Sequence, residues 1–366
     1  MKNQLNEAAV QHIARCFGEI DSNFKPIQFC AQASEGLDKL ELKQRVMHII
    51  VALHEYLPAD FSQTADLLKQ LPKVWQQQDP NKLISSFAAW PVIDYASVYG
   101  LAHPQQSLEV LSKLTHLFSA EFAIRAFINQ HPEYCHSQFE HWVKNDSEHV
   151  RRLVSEGTRP RLPWGLQLKS YIADPTPNFA LLTALKEDPS LYVRRSVANH
   201  LNDISKDNSD LLLDICQRWS TDASTEVQWI IKHATRSLVK GGHTEVLSLL
   251  GYEQKLKLSP ATLHINNTDL CLGDYLEFEV DFSSTSSKSQ KLVIDFAIHF
   301  VKANGQQKAK VFKLKSINLG AKQTCTIQKR HAIKAITTRQ YYAGTHLLEI
   351  MVNGQSVASK AFELSV

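Results

Sequence analysis

The sequence predicts a two-part chain: a mainly α-helical solenoid over residues 1–253, then an all-β, immunoglobulin-like sandwich over residues 257–366. Three observations carry this. A phrase recurs with changes at residues 146–156, 188–199 and 222–233, apolar residues keep a helical period up to about residue 250, and after Gly251 the pattern turns to alternation.

The helical part opens with Leu42, Val46, Ile49, Ile50, Leu53 and Leu57 on one stripe, and Leu111, Leu114, Leu117 and Phe118 form another. Pro58, Pro72, Pro80, Pro91, Pro104, Pro132, Pro175, Pro177 and Pro189 fall between apolar runs or at their starts, where a missing N–H costs least. Asp188-Pro189-Ser190 is a helix entry. The recurring phrases align on Val150, Val193 and Val227, with spacings of 43 and 34 residues. That range suits irregular HEAT-like helix pairs. On a helical wheel the aligned valines, Leu153, Val154, Val197, Ile230 and Ile231 face inward. Two polar columns then face outward: Arg152, Arg195 and Trp229, and beside them Glu156, Asn199 and His233. Cations and an aromatic next to an acid suit a site that holds a polyanion and acts on it; an Arg and a Glu at i, i+4 also read as a solvated pair worth about 0.3 to 0.5 kcal/mol.

The β part follows from alternation at 270–280 and 292–301, a Ser/Thr-rich turn at 283–289, hairpin signals at Asn304-Gly305 and Asn353-Gly354, and a late strand from Tyr342. Strands turning about every ten residues suggest a sandwich. Cys271 and Cys325 sit where an inter-sheet bridge would, but all six Trp precede residue 230, so the core Trp of antibody domains is missing. The six cysteines, without a Cys-x-x-Cys, read as free thiols.

Composition is that of an ordinary globular chain, and the formal charge of +3 hides an asymmetry. Residues 257–366 hold 14 Lys or Arg against 8 Asp or Glu, and residues 1–256 hold 26 against 29, so an excess of +6 sits in the tail and the front is −3. Within that front, Arg151, Arg152, Arg159 and Arg161 make a local basic patch. The N-terminus lacks a signal-peptide pattern and no apolar run is long enough to cross a bilayer, which gives a cytoplasmic expectation. No dinucleotide fingerprint, phosphate loop, zincin motif or Gly-x-Ser-x-Gly is present. His131, Cys135, His136 and His141 form too loose a set for a metal, and no cofactor is expected.

The segment Glu156-Gly-Thr-Arg-Pro-Arg-Leu-Pro-Trp164-Gly cannot be helical, so Arg159, Arg161 and Trp164 ride on a loop after Glu156. Arginines there reach phosphates, and Trp164 either stacks on a nucleotide or plugs a gap between repeats. Glu121 reads equally as an i, i+4 partner of Arg125 in a helix first turn.

Three stretches, Tyr192 to Lys206, Ser119 to Arg125 and Glu156 to Trp164, resemble the AlkC branch of the AlkC/AlkD DNA alkylation-repair glycosylases. That family also carries an Ig-like tail, so the resemblance spans nearly the whole chain. It implies release of N3-methyladenine and N3-methylcytosine from double-stranded DNA at an open concave site, with Glu121 and Glu156 as the acidic pair, Asp203 as a further acid and Trp164 beside the lesion. The candidate DNA-binding residues are Arg152, Arg159, Arg161, Trp164, Arg194, Arg195, Asn199, His200, Lys206 and His233. The partner is then alkylated duplex DNA, bound by a monomer. The competing reading is a non-catalytic HEAT-type scaffold for DNA or protein, which would tolerate Gln in place of Glu156.

Overall fold

The computed structural model describes residues 2–75, 86–337 and 339–366. The chain divides into two compact units, Met1–Leu211 with Asp222–Ile230, and Leu212–Thr221 with Ile231–Val366. Short α-helices follow one another through the first unit, and proline begins several of them, as in Pro26–Ser34, Pro104–Leu114 and Pro132–Trp142. Pro80 lies outside the described residues. The predicted entry at 188–190 is built as expected: Ser190 caps the Leu191–Ile204 helix by accepting from the Tyr192 N–H, and Asp188 accepts from the Ser190 N–H at 2.9 Å.

The inward stripes make the core of this unit. Val150, Leu153 and Val154 of the Glu148–Gly157 helix are buried, as are Val193, Val197 and Leu201 of the Leu191–Ile204 helix. These two helices pack on each other. Their interface uses small residues, with Ser155 and Ser196 buried and their hydroxyl oxygens 3.0 Å apart. Gly157 ends the first helix against Ile124, where an added Cβ would lie 2.6 Å from the Ile124 Cγ2. The small Ser196 side chain faces Glu156, whose carboxylate turns in between the two helices to accept from its hydroxyl.

In the second unit eight strands form two sheets: β1 (Thr262–Ile265), β2 (Asp269–Cys271), β3 (Tyr275–Ser283), β4 (Gln290–Val301), β5 (Gln307–Leu319), β6 (Thr324–Ala332), β7 (Gly344–Val352) and β8 (Gln355–Ser365). The sheet orders are β1-β3-β6 and β2-β8-β7-β4-β5, antiparallel except for β2 beside β8. Alternation predicted this. Leu276, Phe278, Val280 and Phe282 of β3 face Leu292, Ile294, Phe296, Ile298 and Phe300 of β4 in one core. Phe278 and Phe296, with ring centroids 5.3 Å apart, occupy the middle in the absence of a Trp. Cys271 and Cys325 are both free thiols, so no bridge joins the sheets. Asn353 and Gly354 both have positive φ, 47° and 76°, the conformation that a two-residue hairpin turn requires. No helix among the described residues is long and apolar enough to cross a membrane.

Candidate active site

The acids of the first unit are interleaved with cations. Glu156, on the Glu148–Gly157 helix, accepts from Arg159 Nη1 at 2.6 Å and lies 3.6 Å from Arg152 Nη2 through the same oxygen, while its other oxygen accepts from the Ser196 hydroxyl at 2.6 Å. The same Arg152 Nη2 lies 2.9 Å from Glu121, and Arg152 Nη1 donates to Ser119 Oγ at 2.8 Å. Arg159 continues to Asp203 at 2.8 Å, and Asp203 also holds Lys206 at 2.8 Å. Glu156 is 5% exposed and Asp203 2%. Burial opposes the charge on Glu156 most strongly, yet Arg152, Arg159 and the Ser196 hydrogen bond outweigh it and hold the carboxyl below its ordinary range. It is an anion at neutral pH.

Glu121 and Glu156 share a pocket of about 270 Å3 with Arg159, Leu162 and a wall of aromatic rings: Phe87, Trp90, Phe118, Phe122 and Trp164. Trp90 stacks on Phe122 with centroids 5.0 Å apart. Asp203 is not among the lining residues. It stands behind Arg159 and orients it.

The loop after Glu156 is non-helical, as the prolines and glycines require. Arg125 pins it from beneath, donating to the carbonyls of Gly157 (2.8 Å), Pro160 (3.5 Å) and Leu166. Trp164 has a φ of 66°, unusual for a bulky residue, and its carbonyl accepts from Lys43 Nζ at 2.6 Å. The Trp164 residue is 57% exposed. A gap-filling indole would be buried, so the plug reading is set aside.

Several expectations change. Glu121 pairs with Arg152 and not with Arg125, and it lies in a turn before the Ile124–Gln130 helix. The outward columns are displaced by one helical turn: Arg152 stacks over the Tyr192 ring, 4.6 Å from its centroid, and Glu156 meets Ser196, where the alignment had placed Arg195 and Asn199. Helix packing sets this register, and a wheel of one helix does not contain it. His200, expected at DNA, is fully buried with Nδ1 2.9 Å from the Ser155 carbonyl oxygen, and burial lowers its pKa to about 4. Arg159, expected at phosphates, is buried between two carboxylates. Arg194 folds back onto the carbonyls of Asp188 and Pro189, and Arg161 pairs with Asp207 at 2.6 Å. Arg195 is exposed, while Asn199 and His233 are half-buried. Sequence reasoning missed Trp90, Phe118, Phe122, Tyr192 and Ser196; only the nearness of Phe118 and Phe122 to Glu121 could have pointed to any of them.

A helical-repeat module with an Ig-like tail and a cleft lined by arginine-paired carboxylates and aromatic rings is the class that fold and site define. Residues 259–366 match the family described as the C-terminal Ig-like domain of the uncharacterised protein YhaZ. The chain is 38% identical over 331 residues to the uncharacterized protein YhaZ of Bacillus subtilis (strain 168), covering 90% of this chain and 89% of YhaZ. It matches the structure of Pseudomonas fluorescens alkylpurine DNA glycosylase AlkC bound to DNA containing an abasic site analog, with a TM-score of 0.92 and 37% identity over 100% of this chain and 99% of that one. The chain belongs to the AlkC family.

Proposed function

We infer that this AlkC-family chain is a monofunctional DNA glycosylase that excises bases alkylated at N3, 3-methyladenine and 3-methylcytosine, from duplex DNA. The reading rests above all on Glu121 and Glu156, two carboxylates held beside arginines in the wall of an aromatic pocket. The family match supports it.

Alkylation at N3 makes the base cationic and a good leaving group. When the glycosidic bond breaks, its electron pair goes to the base and the sugar becomes oxocarbenium-like. Water adds to C1′ and gives up a proton to a carboxylate or to solvent. A carboxylate about 4 Å from the developing charge gains roughly 4 kcal/mol at an effective dielectric of about 20, close to a thousandfold in rate. The aromatic faces add cation–π attraction for the charged base before cleavage. Arg152 and Arg159 keep Glu156 ionised and offset the repulsion of the acids from phosphates. Asp203 acts through Arg159. Arg195, Asn199 and His233 remain candidates for the DNA backbone, and the chain acts as a cytoplasmic monomer.

Release of free N3-methyladenine and N3-methylcytosine from methylated duplex DNA, with chelator present, tests this. The intact protein releases both, and Glu156→Gln loses about a thousandfold while keeping its fold and DNA binding. DNA binding without release by either protein would make the scaffold reading the better one.

A further inference from the structure

A second cavity, of about 210 Å3, lies on the other side of the aromatic wall and uses Trp90, Phe122 and Trp164 as its own lining. Glu121 and Glu156 do not line it, so bond cleavage has no use for it. Its polar groups are Lys43, Asp94 and Ser97. Asp94 accepts the Trp90 indole N–H at 2.7 Å, Ser97 donates to the Asp94 carbonyl at 2.8 Å, and Lys43 is tied to the Trp164 carbonyl. The rim is apolar and open: Met47, Val98 and Leu166 are among the exposed large hydrophobic residues.

We propose that this cavity binds the freed alkylated nucleobase, which stacks on the indole and phenyl faces and hydrogen-bonds to Asp94. The proposal rests on the glycosylase reading. Size selects the ligand first: sites for drug-sized molecules begin at about 300 Å3, so this one suits a single flat ring system without its sugar and phosphate. Charge selects it next. Cleavage returns the bonding pair to the base, which then has no net charge and is no longer attracted to Glu121 and Glu156. The neighbouring cavity offers stacking surface instead of fixed anions. Burial raises Asp94 to about 7, against smaller opposing effects of the Trp90 hydrogen bond and then Lys43, so near neutral pH it meets a ring acceptor as an acid or an amino group as a carboxylate. Trp90, Phe122 and Trp164 border both cavities and give the base a continuous aromatic path between them.

The test uses the full-length protein and free N3-methyladenine as the probe. Calorimetry should detect binding of the base, and the same base should inhibit excision from methylated duplex DNA. Val98→Trp, which fills the cavity from its exposed rim, and Asp94→Leu, which removes the polar anchor, should each weaken the base by about tenfold or more, or about 1.4 kcal/mol. The single-turnover excision rate of Val98→Trp, which leaves the hydrogen bond between Asp94 and Trp90 in place, should stay within about twofold of the parent. No binding of the base by protein that excises it, or binding that persists in Val98→Trp, would overturn the proposal. A parent protein that excises nothing would instead refute the glycosylase reading, and calorimetry would still report on the cavity.

Discussion

Arg159 shows how much a single side chain can be asked to hold. It lies between Glu156 and Asp203, all three nearly shielded from solvent. Removing one partner of a buried ionic set leaves the others uncompensated, so Arg159→Met should lower stability by about 3 to 5 kcal/mol, read as a fall in the thermal midpoint. Arg161→Ala breaks a more exposed, solvent-screened pair with Asp207 and should leave the thermal midpoint nearly unchanged. Equal losses would mean that burial does not distinguish the two arginines. His200 gives a pH dependence. Its folded pKa is about 4 against 6.5 unfolded, so between those values the unfolded chain binds the extra proton, and stability rises with pH by up to about 1.4 kcal/mol per unit. Asp94 has the opposite sign: its folded pKa of about 7 lies above the unfolded 3.8, so its contribution is present below 3.8 and is lost as pH rises to about 7. Urea unfolding of the parent and His200→Asn from pH 4 to 7 should therefore give a shallower rise in the variant; parallel curves would remove the histidine from the account. Of these residues, Glu156 and Arg159 were visible in sequence as an acid followed by a basic loop. That Arg159 turns inward was not visible, because its partner Asp203 lies 44 residues away on another helix.

Among the elements, the helix pair Glu148–Gly157 and Leu191–Ile204 decides whether the carboxylates meet their partners. Period and capping made both helices legible, and the recurring phrase made them equivalent. Their relative register was not legible, because it depends on how Ser155 and Ser196 allow the backbones to approach. Gly157 makes the corresponding close contact with the Ile124–Gln130 helix, so Gly157→Ala should be costly for a one-methyl change: the Cβ meets Ile124, and about 1 to 3 kcal/mol should be lost in chemical denaturation. A neutral or stabilising result, as helix propensity alone would give, would show that Ile124 simply moves aside. The loop at 158–168 was legible as a loop from its prolines and glycines. Its fixed shape comes from Arg125 and Lys43, which bond to its carbonyls from distant parts of the chain, and no local pattern marks them. The aromatic wall was hidden for the same reason. Trp90 and Phe122 look like ordinary core residues in sequence, and only the fold places them beside Glu121 and Glu156. In the β unit the local grammar sufficed, since alternation fixes the buried face and Asn353-Gly354 fixes a turn.

At the scale of the whole molecule the charge is divided, and the β unit's share has a definite location. β5 is an edge strand, and Lys308, Lys310, Lys313 and Lys315 along it are all exposed. Two explanations compete. Lys308 and Lys310 lie opposite Phe300 and Ile298, whose side chains face the core, so these lysines are inward-pointing charges of the kind that keep an edge strand from pairing with another chain. The same row of ammonium groups also suits a polyanion, and the AlkC-family function supplies one in the DNA backbone. Salt dependence separates the two. If the strand meets phosphates, replacing Lys308, Lys310 and Lys315 by Gln reduces the magnitude of the slope of log affinity against log salt by about 0.9 for each phosphate that is no longer neutralised, with the duplex still bound at low salt. If the lysines only guard the edge, the slope is unchanged and the variant self-associates, which sedimentation would detect. The expected result is the reduced slope, because this strand concentrates four lysines within eight residues, a row of like charge that a chain of phosphates would neutralise. An unchanged slope in a monodisperse variant would remove the strand from DNA binding and leave the charge asymmetry between the two parts of the chain without a role in it.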